Sequence, residues 1–108
     1  MGRIIVIEDN LVFRDHVCGM LEKAGYTTRT AYDCAGARKL LEALETDDIV
    51  LSDLRLPDGE CTALLEYMRA SGMRNPFVIM TDYAQVVSAV SSMKQGAADS
   101  VSYTHLTL

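Results

Sequence analysis

What this 108-residue sequence lacks narrows its class first. No apolar run approaches the roughly 18 residues of a membrane-spanning helix, and no stretch resembles a signal peptide. Basic residues are in deficit: ten Lys and Arg stand against 15 Asp and Glu, for a net charge of -5. That balance excludes a segment that grips nucleic acid or an anionic membrane by charge alone. Cys18, Cys34 and Cys61 are odd in number, far apart and without a C-x-x-C pair. This argues for a reduced, cytoplasmic setting over a disulfide framework. His16 and His105 have no partners at ligand spacing, so no zinc site is expected. Repeats, linkers and low-complexity segments are absent too. What remains is a chain that is 49% hydrophobic, long enough for one domain with a real core and too short for two.

The chain is organised around Ile49-Val50-Leu51-Ser52-Asp53-Leu54-Arg55-Leu56-Pro57-Asp58-Gly59. An apolar, β-branched run ends in a carboxylate, and a turn with Pro57 and Gly59 follows at once. Asp53 is therefore expected at the C-terminal tip of a buried strand. Two other runs have the same build. Arg3 to Ile7 ends in Glu8-Asp9-Asn10, two acids and a helix cap. Phe77 to Met80 follows the punctuation Asn75-Pro76 and ends in Thr81 and Asp82. Thr27 to Ala31, rich in Thr, suits a strand nearer a sheet edge. A short fifth strand is expected to begin near Asp99. Helical spacing of apolar residues fills the intervals: Leu11 to Ala24 with a stop at Gly25, Asp33 to Leu44, Cys61 to Ala70, and Ala84 to Gln95 before Gly96.

The alternation predicts an α/β fold, a doubly wound parallel five-stranded sheet with helices on both faces. Right-handed crossovers leave few windings, and the flavodoxin-like order 2-1-3-4-5 leads. It sets the first and third strands side by side, so Glu8 and Asp9 neighbour Asp53, with Thr81 one strand further. An acid at a strand end is ordinary by itself, because such ends are exposed. Glu8, Asp9, Asp53 and Thr81 on successive correct strands are not. Three carboxylates so placed repel, and a hard cation is the usual remedy. Mg²⁺ takes a few oxygen ligands, keeps waters and accepts a phosphate. The Thr81 hydroxyl is placed to hydrogen-bond a phosphoryl oxygen arriving at Asp53.

These residues resemble the receiver domain of bacterial two-component response regulators. The matching pieces are Ile7-Glu8-Asp9-Asn10, Ser52 through Gly59, Ile79-Met80-Thr81-Asp82-Tyr83-Ala84 and Met93-Lys94-Gln95-Gly96-Ala97-Ala98-Asp99. The resemblance implies that Asp53 is the phospho-acceptor for a sensor histidine kinase. It implies that Asp9 and Asp53 bind Mg²⁺ directly with the backbone carbonyl of Arg55, that Glu8 acts through water, and that Thr81 senses the phosphoryl group. The turn and the Leu64-Leu65-x-x-Met68-Arg69 pattern are similar to receivers of the nitrogen-regulation type. Such receivers commonly precede an ATPase module and a DNA-binding domain in a transcription regulator, and dimerise on phosphorylation. The domain would be a signalling switch and not an enzyme, beyond losing its own phosphate.

Two departures stand out. Asp82 occupies a place where receivers usually carry a small neutral residue, and it is expected to point to solvent. After Asp99, Ser100 stands at the aromatic position, and Tyr103 and Thr104 stand where Lys and Pro belong. Lys94 is no substitute, since it lies in the last turn of the fourth expected helix, where a cation suits the dipole. Residues 101–108, Val-Ser-Tyr-Thr-His-Leu-Thr-Leu, look like the translation of a transposase sequencing adapter, GTC-TCT-TAT-ACA-CAT-CTG-ACG-CTG. The expected organisation is thus a receiver over residues 1–100, without its final helix, followed by a non-native tail.

Two other functions compete. An aspartate-nucleophile phosphatase of the haloacid dehalogenase type needs an acid two residues after the nucleophile, and Arg55 is there instead. A degenerate or truncated receiver would act only as a protein-interaction module, which the intact Glu8, Asp9, Asp53 and Thr81 disfavour. In the source genome, the reading frame is expected to diverge from this sequence near residue 100. An uninterrupted native gene encoding the same tail contradicts that expectation.

Overall fold

A computed structural model describes residues 3–80 and the backbone of a strand at 103–105. The first strand, β1 (Arg3–Ile7), carries Ile4, Ile5, Val6 and Ile7, all essentially inaccessible to water. A strand covered on both faces needs such an uninterrupted apolar run. Helix α1 (Leu11–Lys23) starts where the Asn10 side chain accepts the Phe13 N–H at 2.9 Å. It stops at Gly25, whose φ of 99° turns the chain so that Gly25 and Tyr26 N–H donate to the Glu22 and Leu21 carbonyls. The sequence expectation of a stop there holds.

Strand β2 (Thr27–Ala31) is exposed along much of its length. Helix α2 (Cys34–Leu41) is shorter than the span to Leu44 that the periodicity suggests. Ala43 and Leu44 donate back only three residues, to Leu40 and Leu41, which tightens the end into turns and closes the α-helix early. Next come β3 (Ile49–Asp53), a two-stranded antiparallel ribbon of β4 (Arg55–Leu56) and β5 (Gly59–Glu60), and α3 (Cys61–Ala70). The ribbon is the turn expected around Pro57 and Gly59. Strand β6 (Phe77–Met80) is buried throughout, and β7 (Tyr103–His105) pairs beside it.

The sheet order is β2-β1-β3-β6-β7, and all its ladders are parallel. Counting strands of this sheet alone, that is the expected 2-1-3-4-5. Side chains alternate across it. Ile4, Val6, Leu51, Val78 and Met80 pack with Val17 and Leu21 of α1 on one face. Ile5, Ile7, Val50, Phe77 and Ile79 pack with Ala37 and Leu41 of α2 and Cys61, Leu64 and Met68 of α3 on the other. The sheet is doubly wound. Strand β7 falls within the segment expected to be foreign and later than the start expected near Asp99. Parallel pairing uses backbone groups, and Tyr and Thr are good strand formers, so local chemistry suffices to fill this place whatever the origin of the segment. The fourth expected helix, Ala84 to Gln95, lies outside the described residues.

At the N-terminal end of the sheet, buried Asn75 ties its own loop to the one between α2 and β3. Its Nδ2 donates to the carbonyls of Glu45, Thr46 and Asp48 at 2.8, 3.3 and 2.9 Å. Beside it, Asp48 accepts from Arg3 Nη2 at 2.6 Å and Nε at 3.2 Å, and from the Glu45 N–H at 2.8 Å. Among the described residues, no buried side-chain nitrogen or oxygen is left without a partner. Removing a buried donor strands its acceptors, so Asn75→Ala is expected to destabilise the domain by about 1–3 kcal/mol in urea unfolding. A loss indistinguishable from zero contradicts that role.

Candidate functional site

The sheet's C-terminal edge gathers the acids. Register pairs Ile7 with Ser52, which carries Glu8 level with Asp53 on the neighbouring strand. Glu8 is buried at 4% exposure, Asp53 is half-buried, and Asp9 faces solvent. One carboxylate oxygen from each of the three lies within 4.8 Å of the others. The convergence expected of these three residues is present.

Each acid is held by its local backbone. Glu8 Oε2 accepts the Asn10 N–H at 3.0 Å, so the residue that caps α1 also orients Glu8. Arg14 Nη1 donates to the Glu8 carbonyl at 2.9 Å, and the Glu8 N–H donates to the Ala31 carbonyl at 3.0 Å. Asp53 Oδ1 accepts the Leu54 N–H at 2.8 Å, and Ser52 Oγ donates to the Asp53 carbonyl at 2.8 Å. The Leu54 carbonyl in turn accepts the Cys61 N–H at 2.9 Å, which joins the tip of β3 to the start of α3.

Burial, reinforced by the charges of Asp53 and Asp9, pushes Glu8 up to about 7 against the opposing pull of the Asn10 N–H. Burial and the charge of Asp9 also raise Asp53, opposed by the Leu54 N–H. Clustered, partly desolvated hard oxygens of this kind suit a divalent cation, and Mg²⁺ fits the donor set.

Other residues singled out in the sequence fare differently. Thr81 and Asp82 lie outside the described residues. Met80, immediately before Thr81, pairs with Asp53 across the β3–β6 ladder, so the chain leaves β6 level with the acids. Arg55 opens the ribbon two residues beyond Asp53 and is exposed. Cys61 sits in the first turn of α3, but it is wholly buried, and burial pushes its thiol up to about 11. Packing is its role, not activated-thiol chemistry.

The sequence reading missed a second use of Asp58. Its two carboxylate oxygens accept the N–H groups of Cys34 and Ala35, at 2.7 and 3.1 Å, from the first turn of α2. These bonds, that from Cys34 foremost, hold the Asp58 carboxyl below its ordinary range. In a Pro-Asp-Gly turn an aspartate is unremarkable locally, and a contact spanning 24 residues leaves no local pattern.

A doubly wound sheet with three acids at its central switch point defines a class: an α/β domain whose acidic strand tips suit a bound cation. The chain belongs to the response regulator receiver domain family, whose pattern it matches over residues 4–103. It is 38% identical over 100 residues to the transcriptional regulatory protein FixJ of Bradyrhizobium diazoefficiens, a match covering 91% of this chain and 47% of FixJ. It is 35% identical over 100 residues to the DNA-binding transcriptional regulator NtrC of Escherichia coli, covering 91% of this chain and 21% of NtrC. The chain thus spans less than half the length of these relatives. Its fold is similar to that of the response regulator TrrA from Thermotoga maritima, determined in complex with Mg²⁺ and BeF, with a TM-score of 0.72 at 22% identity, over 97% of this chain and 84% of that one.

The burial of Glu8 among these charges has a pH consequence. Glu8 titrates near 7 in the fold against an ordinary 4.5. Its destabilising effect is therefore absent below the lower value, grows between the two and is complete above the higher. In metal-free buffer, Glu8→Gln is expected to melt several degrees above the unsubstituted protein at about pH 8 and to lose that advantage by about pH 5. An equal gap at both pH values in a thermal melt contradicts a raised Glu8 titration.

Proposed function

We propose that Asp53 is the residue of this receiver domain that takes a phosphoryl group from a sensor histidine kinase, with Mg²⁺ as cofactor. Phosphorylation by a kinase is the role of the family to which the chain belongs. The observation that carries the assignment to Asp53 is its half-buried carboxyl at the tip of β3, fixed by the Leu54 N–H and set within 4.8 Å of Glu8 and Asp9.

Asp9 and Asp53 would hold the ion directly with the Arg55 carbonyl, and Glu8 would act through a water. When bound, Mg²⁺ supplies neutralising charge to a loose, anionic phosphoryl-transfer transition state. Asp53 supplies the nucleophile. Its carboxylate oxygen forms a bond to phosphorus as the bond from phosphorus to the nitrogen of the donor's ring-protonated imidazole breaks, leaving an acyl phosphate and a neutral imidazole. Burial raises the reactivity of Asp53 by thinning its hydration, while the Leu54 N–H keeps its orientation. The new group adds about 1.5 to 2 negative charges, and the Thr81 hydroxyl is assigned to report its presence to the adjoining surface.

The acyl phosphate is returned to water by slow hydrolysis, so the domain switches and does not turn over a substrate. Among the described residues no helix is long and apolar enough to cross a membrane. We place the domain in the cytoplasm, with the acidic balance of the chain against direct binding of nucleic acid. Output through an attached ATPase or DNA-binding module, and dimerisation on phosphorylation, are the parts of this reading that the family resemblance implies; the relative NtrC is a DNA-binding regulator. Residues 101–108 take no part in the chemistry and are read as a foreign tail.

Incubation with Mg²⁺ and acetyl phosphate, followed by intact mass and peptide mapping, is expected to place one phosphoryl group on Asp53. Asp53→Asn is expected to abolish it. No added group, or one mapped to another residue, overturns the assignment.

A further inference from the structure

The ribbon that follows Asp53 is fastened to a helix that takes no part in the acid cluster. Asp58, at the tip of the β4–β5 turn, accepts Cys34 N–H through Oδ1 at 2.7 Å and Ala35 N–H through Oδ2 at 3.1 Å. The Cys34 thiol makes a weaker third link to the Glu60 carbonyl at 3.9 Å. Asp33 already caps α2 in the ordinary way, accepting Gly36 N–H at 2.7 Å, so Asp58 is a second carboxylate on the same helix start. Among the described residues, two consecutive first-turn N–H groups are thus satisfied from a segment 24 residues away in sequence.

Fastening the ribbon constrains the acid site. Leu54 lies between Asp53 and the ribbon, and its N–H orients the Asp53 carboxyl while its carbonyl receives Cys61 N–H. Arg55, whose carbonyl is assigned to the metal, is the first residue of β4 and pairs with Glu60. The ribbon has two strong anchors, Leu56, buried in the core shared by α2 and α3, and Asp58 on α2, beside the weak Cys34–Glu60 link. A single apolar anchor leaves a two-residue strand free to pivot. The polar anchor removes that freedom, and the Leu54–Arg55 backbone inherits the rigidity of α2, itself seated by Ala37 and Leu41.

We propose that Asp58 is a positioning residue for the phospho-acceptor site, acting through its clamp on the start of α2 to fix the Leu54 N–H and the Arg55 carbonyl. The part concerning the metal rests on the function proposed above; the part concerning the Leu54 amide does not.

The test compares the full chain with Asp58→Ala and Asp58→Asn. The second keeps an oxygen acceptor for one of the two N–H groups. In metal-free buffer, amide hydrogen exchange read by NMR is expected to quicken about tenfold at Leu54 and Cys61 as well as at Cys34 and Ala35 in Asp58→Ala, with Asp58→Asn intermediate. Calorimetric titration with MgCl₂ is expected to show about tenfold weaker binding in Asp58→Ala, partly restored in Asp58→Asn. Quickened exchange confined to Cys34 and Ala35, with unchanged Mg²⁺ affinity, overturns the proposal and leaves Asp58 a helix cap. If the unsubstituted chain itself fails to bind Mg²⁺, the functional reading fails, and exchange at Leu54 alone decides whether the clamp positions the loop.

Discussion

Holding three carboxylates at the tips of adjacent buried strands is the constraint on which the rest of this structure depends. Like charges brought this close favour separation or protonation, and they reinforce the burial that lifts Glu8 to about 7. The acids stay together because they cannot move independently of the strands that carry them. β1 and β3 are covered on both faces, and slipping either by one residue would turn its core side chains onto the wrong face. Hydrophobic burial at the centre of the sheet thus sustains an electrostatically unfavourable edge.

The two ends of the sheet divide the work. At the N-terminal end, opposite charges and buried donors meet: Arg3 with Asp48, and Asn75 with three loop carbonyls. At the C-terminal end, backbone N–H groups from Asn10 and Leu54 support carboxylates that otherwise repel. A cation fits at that second end because it supplies what the protein's own groups leave wanting there. On the proposed function an anionic phosphoryl group would be accepted there only once a cation is bound, which would link the chemistry to the charge pattern and not to the fold alone.

Much of this was legible because each functional acid directly terminates a recognisable apolar run. Ile4 to Ile7 runs into Glu8, and Ile49 to Ser52 runs into Asp53, so strand position and site position were read together. The order of strands followed from alternation and crossover handedness. What stayed hidden depends on few residues or on long separations. Strands of two residues, such as β4 and β5, carry no periodicity. The early end of α2 rests on backbone bonds at Ala43 and Leu44 that apolar spacing does not encode. Asn75 looked like the first half of a turn signal, and Asp58 like a turn residue, whereas both reach distant segments. The fifth strand, expected near Asp99 after the stop at Gly96, pairs instead at Tyr103 to His105.

The central claim is that Glu8, Asp9 and Asp53 form a Mg²⁺-dependent acceptor for a phosphoryl group. Fluorine NMR with beryllofluoride, a phosphoryl mimic, tests metal and acceptor together. A bound fluorine resonance is predicted only when Mg²⁺ is present and Asp53 is intact. A resonance that persists without Mg²⁺ or in Asp53→Asn, or none at all with Mg²⁺ and the unsubstituted chain, contradicts the account.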